Sequence, residues 1–360
     1  MSEQTSLTEA TPSLLPELDP SAFATTEQPP PALAEVGGET SLAATSVAEL
    51  ADGQCAGFYA VKDRQRLTRR SGEDFLKLVL GDRTGSVEAK VWDGVESCHD
   101  CAEPGAIVRV EGSYSVHQRY GASIKVDLIR AARPGEYDLD DLVAAGEIPI
   151  DRLEAGLRDL LATIHDPDLA TLLDRVFGED SEIWARFREA PAAKHYHQAF
   201  RHGLLEHTLS VAEAVSASAS AFPGVNREVA VTGALLHDIG KLQAYNDDPF
   251  AIDLTDAGRL QGEIPLGYFF VRTLVESIAG FDPALGQAIF HIILSHHGKL
   301  ENGSPVVPAT REATLVHMMD NLGGTLGSFD RIEAGLREGE AWSRFDRGIS
   351  SSAYFPARAA

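Results

Sequence analysis

The 360-residue sequence is poor in cysteine and has no long apolar run. Its three cysteines, Cys55, Cys98 and Cys101, give no disulfide framework, which is typical of a protein in a reducing cytoplasm. No stretch approaches the roughly 20 apolar residues that span a bilayer, and the N-terminus lacks the basic and apolar signature of a secretory signal. We therefore expect a cytoplasmic globular chain with no membrane partner and with room for more than one domain.

Basic residues are absent from the first 50 positions, and the formal net charge of the chain is −23. Proteins that bind polyanions are usually basic, which argues against nucleic acid as a partner of the chain as a whole. Residues 51–135, however, hold thirteen Lys/Arg against twelve Asp/Glu, so this segment is near neutral within an acidic chain. This segment is therefore the place to look for basic patches.

Composition and periodicity divide the chain into four parts. Residues 1–47 are rich in Pro, Ser, Thr, Ala and Glu and cannot bury enough apolar area to offset the entropy of ordering, so they predict a disordered acidic tail. Residues 48–134 show the alternation of short strands, and residues 150–335 show helical periodicity. Residues 336–360 are interpreted as a C-terminal extension.

The second part contains five runs in which apolar and polar residues alternate. These predicted strands are Cys55–Lys62, Phe75–Gly81, Ser86–Trp92, Ile107–Val116 and Ala122–Arg130. Five short strands with an insert after the third favour a small Greek-key barrel of the OB type. A fragment of a β-sandwich is the alternative. The predicted fold class is thus multidomain, a β-barrel followed by an all-helical domain.

Predicted helices in the third part each direct a histidine or an aspartate toward the interior. A buried carboxylate is costly unless it is paired or binds a metal. Any one inward histidine is more often an ordinary core residue, but several that converge indicate a metal site. The set consists of His207, His237, Asp238, His296, His297 and Asp320. Nitrogen and oxygen ligands without thiolate suit Mn, Fe, Co, Ni or Mg better than a structural zinc.

Asp238 has two carboxylate oxygens and could join two ions. One ion could take His207, His237 and Asp320 together with Asp238, and the other could take His296 and His297. Two ions about 3.5–4 Å apart activate water and stabilise both the attacking and the leaving oxygen of a phosphoryl centre. Asp238 and Lys241 are therefore the predicted catalytic residues, Lys241 offering a positive charge to phosphate. The alternative for Lys241 is a solvated side chain after a helix end.

These residues resemble the H…HD…D signature of the HD-domain metal phosphohydrolases. Further motifs, in order over residues 50–335, are similar to those of the bacterial YhaM-type 3′–5′ exoribonucleases, which join an N-terminal OB-fold to an HD domain. The motifs are Phe58–Asp63, Asp82–Gly85, Gly203–Thr208, His237–Lys241, Leu294–Lys299 and Gly303–Pro305. The resemblance implies two divalent ions, with Mn²⁺ first and Mg²⁺, Co²⁺ or Fe as alternatives. It also implies degradation of single-stranded RNA from the 3′ end.

The chain departs from that family at Gly262-Glu263-Ile264, where the family usually has a histidine at the central position. Glutamate is a competent oxygen ligand. Glu263 is therefore interpreted as a ligand of the second ion, and a surface glutamate beside Pro265 is the alternative.

The candidate nucleic-acid-binding residues lie in the barrel. Lys62, Arg64, Arg66, Arg69 and Arg70 crowd one predicted loop. Tyr59 and Tyr120 are expected to be exposed and to stack on bases, as aromatic side chains of OB-folds do, whereas Phe75 and Trp92 are assigned to the barrel core. The alternative for the basic loop is a merely solvated hairpin.

Together these observations predict a metal-dependent 3′–5′ exoribonuclease that acts on single-stranded RNA and, as a second substrate, single-stranded DNA. One alternative is an HD-type phosphohydrolase of nucleotides or cyclic nucleotides, which needs the metal site but no strand-binding barrel. Another is a nucleic-acid-binding regulatory protein with an impaired HD site. A homo-oligomer is compatible with the sequence.

Overall fold

The computed structural model describes residues 43–117, 121–143, 146, 148–194, 198–336 and 339–356. Most of the predicted tail (residues 1–42) and the predicted stacking residue Tyr120 lie outside the described residues. Within these ranges, no helix has both the length and the apolar character needed to cross a membrane.

The N-terminal part of the described chain is a closed five-stranded barrel. Its strands are β1 (Gly53–Thr68), β2 (Asp74–Asp82), β3 (Gly85–Val91), β4 (Ile107–His117) and β5 (Gly121–Ala131), and a short helix α1 (Val95–Cys101) follows β3. The strand order is β1-β2-β3-β5-β4, with β3 and β5 parallel and the other neighbours antiparallel. This arrangement confirms the predicted OB-type barrel and the insert after the third strand.

Strand β1 is longer than predicted because it belongs to both sides of the barrel. Its first half, from Gly53 to Ala60, pairs with β4, and its second half, from Ala60 to Thr68, pairs with β2. The register shifts between Val61 and Asp63, and such an irregularity bends a strand and increases its twist. The basic residues that were assigned to a loop therefore lie mostly on the second half of this strand.

The barrel interior is filled by alternate residues of each strand. Leu76, Leu78 and Leu80 of β2 are fully buried, as is Ala89 of β3. Because successive side chains of a strand point to opposite faces, Phe75 of β2 and Trp92 just after β3 lie on the outer face. The rings of these two residues are half-buried and stack on each other, with centroids 4.6 Å apart. Their assignment to the barrel core was wrong.

Tyr59 is a core residue and not an exposed stacking platform, so the prediction for this residue was also wrong. Its side chain is fully buried, and its hydroxyl donates a hydrogen bond to the backbone oxygen of Thr45 at 2.7 Å. A β-carbon at Gly57 would lie 2.4 Å from that hydroxyl, so only glycine leaves room for the ring. Thr45 belonged to the predicted tail, whose last residues are therefore part of the barrel's packing.

The rest of the chain is helical. The helices are α2 (Ile150–Leu161), α3 (Pro167–Phe177), α4 (Glu182–Glu189), α5 (Gly203–Ala219), α6 (Arg227–Leu236), α7 (Lys241–Ala244), α8 (Asp256–Gln261), α9 (Glu263–Ser277), α10 (Pro283–Ser295) and α11 (Arg311–Ala334). Most of α6 is buried, and it packs against α5, α10 and α11. Asn226 caps α6 by accepting hydrogen bonds from the backbone of Glu228 and Val229. The most buried helix of the domain thus leads directly into the His237-Asp238 pair.

Tyr59→Phe removes one buried hydroxyl and leaves the ring in place. We expect the free energy of unfolding to fall by roughly 0.5–1.5 kcal/mol, the usual net contribution of one hydrogen bond. Affinity for single-stranded RNA should not change, because the side chain does not reach the surface. Urea unfolding and fluorescence-anisotropy titration measure the two quantities. The exposed Tyr354→Phe is the control, with an effect on stability within about 0.5 kcal/mol. A loss of RNA affinity in Tyr59→Phe would contradict the core assignment.

Candidate metal centre

Four helices bring the six predicted ligands to one point in the interior. His207 lies on α5, the His237-Asp238 pair follows the end of α6, the His296-His297 pair follows the end of α10, and Asp320 lies on α11. His207, His237, Asp238 and His296 are each less than 5% exposed. The predicted convergence of these side chains is therefore what the structure shows.

The first group of ligands consists of His207, His237 and Asp320. The Nε2 atom of His207 lies 3.2 Å from Nε2 of His237 and 3.2 Å from Oδ1 of Asp320. The Nε2 atom of His237 lies 3.7 Å from the same carboxylate oxygen. Two imidazole nitrogens and a carboxylate oxygen thus surround one point, as in a site for a first-row divalent ion.

The second group consists of Asp238, His296 and His297. Asp238 faces both groups. Its Oδ2 atom lies 3.2 Å from Nε2 of His207 and 3.3 Å from Nε2 of His237, whereas its Oδ1 atom lies 3.6 Å from Nε2 of His296. A carboxylate in this position can place one oxygen on each of two ions.

Backbone carbonyls orient three of the histidines. The Nδ1 atoms of His237, His296 and His297 lie 2.6, 2.8 and 3.0 Å from the backbone oxygens of Ala234, Ile293 and Asn302. When Nδ1–H donates to a carbonyl, the Nε2 lone pair is left for a metal, which is the usual arrangement of metal-binding histidines. The fold therefore selects the tautomer that a metal ligand needs.

Two polar atoms at the centre fit a bound cation. Oδ1 of Asp238 and Nε2 of His296 are buried, and neither has a hydrogen-bond partner in the described part of the chain. A buried polar atom without a partner costs about 1–3 kcal/mol, and more when the group is charged. A divalent ion between these two atoms would satisfy both, so the residues present suit a metal.

The electrostatics of the centre favour ionised carboxylates beside a neutral His296. Burial opposes ionisation of Asp238, but Lys241 and His237 outweigh it and hold the pKa of that carboxyl well below its usual range. Burial also lowers the pKa of His296, to about 3, so this ring stays neutral. Burial would lower the pKa of His237 too, but Asp238 and Asp320 raise it to about 10. A metal at the first group therefore competes with a proton on His237.

Lys241 lies against Asp238 at the edge of the centre and is not a solvated side chain. Its Nζ atom lies 2.7 Å from Oδ2 of Asp238, and 16% of its side chain is exposed. Burial would lower the pKa of Lys241, but the Asp238 carboxylate raises it, so the ammonium group stays charged. Lys241 thus balances the buried carboxylate and stands at the edge of the centre.

Glu263 lies next to the second group. It is the first residue of α9, and its Oε1 atom lies 3.9 Å from Nε2 of His297. Both side chains are 29% exposed, so this side of the centre is the more open one. The distance is compatible with an ion shared by the two residues, and the interpretation of Glu263 as a ligand stays a prediction.

Sequence reasoning missed His317, which supports the second group. The Nδ1 atom of His317 lies 2.8 Å from the backbone oxygen of His296. A β-carbon at Gly298 would lie 2.1 Å from this ring, and Gly298 has a φ of 77°, so glycine is needed on both counts. The available signal was the spacing, because His317 precedes Asp320 by three residues and shares its side of α11.

The basic residues of the barrel are largely engaged by neighbouring groups. Arg64 donates to the backbone of His99 and pairs with Glu103 at 3.4 Å, and only 14% of its side chain is exposed. Arg66 pairs with Asp74 and Glu96, each at 2.7 Å. The prediction that these residues crowd one loop was therefore wrong for Arg64 and Arg66, which lie on β1 and pair with carboxylates.

The remaining basic residues of this set have different surroundings. The ammonium group of Lys62 donates to Ser86 at 2.8 Å. The guanidinium of Arg69 lies 4.3 Å from the centre of the Trp92 ring and 3.4 Å from Glu73, and Arg70 is exposed. Arg69, Trp92 and Phe75 form a continuous stack on the outer face of the barrel, which we call the outer stack.

Comparison with known proteins agrees with both domains. Residues 204–324 match the model of the HD domain, and residues 60–131 match the model of the OB-fold nucleic acid binding domain. The chain is 29% identical over 300 residues to the 3′-5′ exoribonuclease YhaM of Bacillus subtilis (strain 168), which covers 83% of this chain and 94% of that protein. The YhaM protein of Geobacillus sp. (strain WCH70) is 29% identical over 290 residues, 79% of this chain and 87% of that protein.

Among solved structures, the second OB-fold domain of replication protein A from Methanococcus maripaludis matches 27% of this chain and 99% of that domain. The identity is 22% and the TM-score is 0.21, and a likeness this weak supports no conclusion about ligands. The resemblance expected from the motifs is nevertheless confirmed by the sequence matches, which span both domains.

Substitutions at Glu263 test its assignment as a metal ligand. If it binds the second ion, Glu263→Gln should lose one bound ion and most activity, because a neutral amide is a poor ligand. Glu263→His should keep two ions with an altered metal preference, since imidazole suits softer ions than carboxylate does. Elemental analysis of the three purified proteins counts the ions, and the exposed Glu301→Gln serves as the control. Equal metal content in all of them would show that Glu263 is a surface residue.

Proposed function

We propose that this chain, a relative of the YhaM exoribonucleases with an OB-fold domain before an HD domain, is itself a metal-dependent 3′–5′ exoribonuclease. It hydrolyses phosphodiester bonds of single-stranded RNA in the cytoplasm, and single-stranded DNA is its second substrate. The observation that carries the proposal is the placement of Asp238, whose two oxygens face two separate groups of ligands. The proposed domain bounds are residues 48–134 for the OB-fold and 150–335 for the HD domain.

Each residue of the centre has a proposed role in holding the ions or the substrate. His207, His237 and Asp320 would hold one ion, His296 and His297 with Glu263 the other, and Asp238 would bridge them. Bound there, two divalent ions would supply Lewis acidity to a phosphodiester and activate water. The ligand set favours Mn²⁺, with Mg²⁺, Co²⁺ or Fe as alternatives. Lys241 holds Asp238 in position and adds a positive charge at the edge where phosphate would enter.

The reaction is a hydrolysis at the last phosphodiester of the strand. The oxygen of water forms a bond to phosphorus, and the bond from phosphorus to the 3′ oxygen of the preceding nucleotide breaks. That oxygen takes up the proton that the attacking water loses and becomes the new 3′ hydroxyl, and a nucleoside 5′-monophosphate leaves.

The barrel would hold the strand upstream of the cleaved bond. Aromatic rings that stack on bases contribute about 1–3 kcal/mol per base in single-strand binding and tolerate any sequence. The outer stack offers two half-buried rings and a guanidinium on one face. It replaces Tyr59 as the proposed platform.

The first experiment compares wild type with Asp238→Asn on 5′-end-labelled single-stranded RNA and Mn²⁺. Wild type should shorten the RNA stepwise from the 3′ end, and the variant should keep the fold but lose nearly all turnover, since the amide cannot bridge two ions. Denaturing gels and circular dichroism measure these outcomes, and the exposed Asp159→Asn is the matched control. Turnover of nucleotides alone would indicate a nucleotide phosphohydrolase, and retention of RNA without cleavage would indicate a binding protein.

The second experiment tests the contribution of the barrel's charges. Arg69→Ser with Arg70→Ser should lower the log–log slope of RNA affinity against salt by up to about 1.4, because each lost phosphate contact is worth about 0.7 for a single strand. Hydrolysis of a small chromogenic phosphodiester should persist. Filter binding at several salt concentrations gives the slope, with the exposed Arg152→Ser on α2 as control. An unchanged slope would identify these arginines as solvated surface.

A further inference from the structure

A cavity of about 550 Å³ lies beside the metal centre and is not explained by the ligands. Its volume is within the range of about 300–1,000 Å³ that is typical of small-molecule sites. Its lining includes Lys241, whose ammonium group contacts Asp238 of the centre, as well as Tyr245, Leu139 and Ala185. The cavity therefore adjoins the metal centre at Lys241.

Tyr245 joins the cavity to the metal centre. Its ring lines the cavity, and its hydroxyl is close enough to Lys241, Glu263 and Asp238 for their charges to act on it. Burial, together with the carboxylates, keeps the pKa of this hydroxyl above its usual value, so it stays neutral and can donate a hydrogen bond. A molecule with its phosphate at Lys241 would thus have its next atoms beside this ring.

The cavity also adjoins the barrel. Asp248 contributes to the rim, and a β-carbon at Gly105, in the turn before β4, would lie 2.5 Å from its Oδ2 atom. The lining of the cavity therefore includes both Lys241, which contacts Asp238 of the metal centre, and Asp248, which adjoins the barrel.

Polar side chains of the lining are largely bonded to the protein itself. Arg186 donates to the backbone oxygen of Leu242 at 2.8 Å, and the side-chain amide of Asn246 donates to Ala251 and accepts from Asp253. The cavity thus offers apolar contact and ring surface more than hydrogen-bonding groups that would distinguish one base from another. This is the chemistry that suits removal of any nucleotide.

We propose that this cavity receives the base and ribose of the 3′-terminal nucleotide, whose phosphate lies at the metal centre. The inference rests on the proposed function and adds to it a site for the departing nucleotide. The base is held by stacking and apolar contacts and not by base-specific hydrogen bonds, so purines and pyrimidines bind with similar affinity. After hydrolysis the nucleoside 5′-monophosphate occupies the same cavity until it leaves, and this makes the product a competitive inhibitor.

The test measures equilibrium binding of adenosine 5′-monophosphate, uridine 5′-monophosphate, ribose 5-phosphate and inorganic phosphate to the full chain with Mn²⁺ by calorimetry. We expect each nucleotide to bind at least tenfold more tightly than ribose 5-phosphate, and the two nucleotides to agree within about tenfold. Ala185→Trp fills the cavity from an exposed helical position of α4. It should weaken binding of adenosine 5′-monophosphate at least tenfold and leave the affinity for inorganic phosphate unchanged.

Ala155→Trp is the matched control, because Ala155 is also an exposed helical alanine but does not line the cavity. Leu139→Trp fills the cavity from another wall and takes the place of Ala185→Trp if thermal unfolding shows that variant to be misfolded. Nucleotides that bind no better than ribose 5-phosphate, or that bind equally to the tryptophan variants, would overturn the proposal.

A parallel RNA-degradation assay separates the two ideas. If RNA is degraded but the cavity variants bind nucleotides as tightly as wild type does, the proposed exoribonuclease activity is supported and the cavity assignment is wrong. If nucleotides bind in the cavity but RNA is not degraded, the cavity assignment stands as a nucleotide site and the proposed substrate fails.

Discussion

The helical domain depends on keeping the carboxylate of Asp238 charged in the interior. A buried charge is tolerated only when other charges or hydrogen bonds compensate it. Here the ammonium group of Lys241 and the imidazoles of His207 and His237 surround Oδ2, whereas Oδ1 faces His296 without a hydrogen bond. The protein's own groups therefore compensate one oxygen and leave the other for a cation. Because the candidate ligands come from four different helices, a metal bound by them would link metal binding to folding of this domain.

Close backbone contacts make this geometry possible. Gly240, in the turn after Asp238, has an ordinary helical φ of −64° and does not use the conformational freedom of glycine. Glycine is needed there because it has no side chain. A β-carbon would lie 2.0 Å from the backbone oxygen of Glu263 and 2.5 Å from the backbone nitrogen of Gly267. The turn that carries Asp238 is thus pressed against the start of α9. This contact brings Glu263 to the open side of the centre, next to His297.

The metal centre could be predicted from the sequence because its ligands follow local rules, and the barrel surface could not. Inward positions such as His207 follow helical spacing, and pairs such as His296-His297 follow directly from a helix end. Along β2, Leu76, Leu78 and Leu80 point inward. Because side chains alternate between the two faces of a strand, Phe75 points outward, and this position could also be predicted from the sequence. The ion pairs of Arg64 and Arg66, in contrast, join residues that are distant in the sequence. Glu96 and Glu103 lie on or beside the insert, 30 and 39 residues after Arg66 and Arg64, and no local sequence pattern predicts those pairs.

Those ion pairs bear on how an acidic chain can bind a polyanion. Exposed ion pairs contribute only about 0–1 kcal/mol, so a phosphate group could displace a carboxylate such as Glu96 from Arg66 at little cost. The displaced carboxylate would still lie nearby and repel the strand, which reduces the net electrostatic gain. In the proposed complex, charge attraction at the barrel would therefore be weaker than the count of arginines suggests, and base stacking on the outer stack would supply a larger share. A strand held mainly by stacking can shift by one nucleotide at a time without losing a fixed set of phosphate contacts, which is what stepwise removal from an end requires.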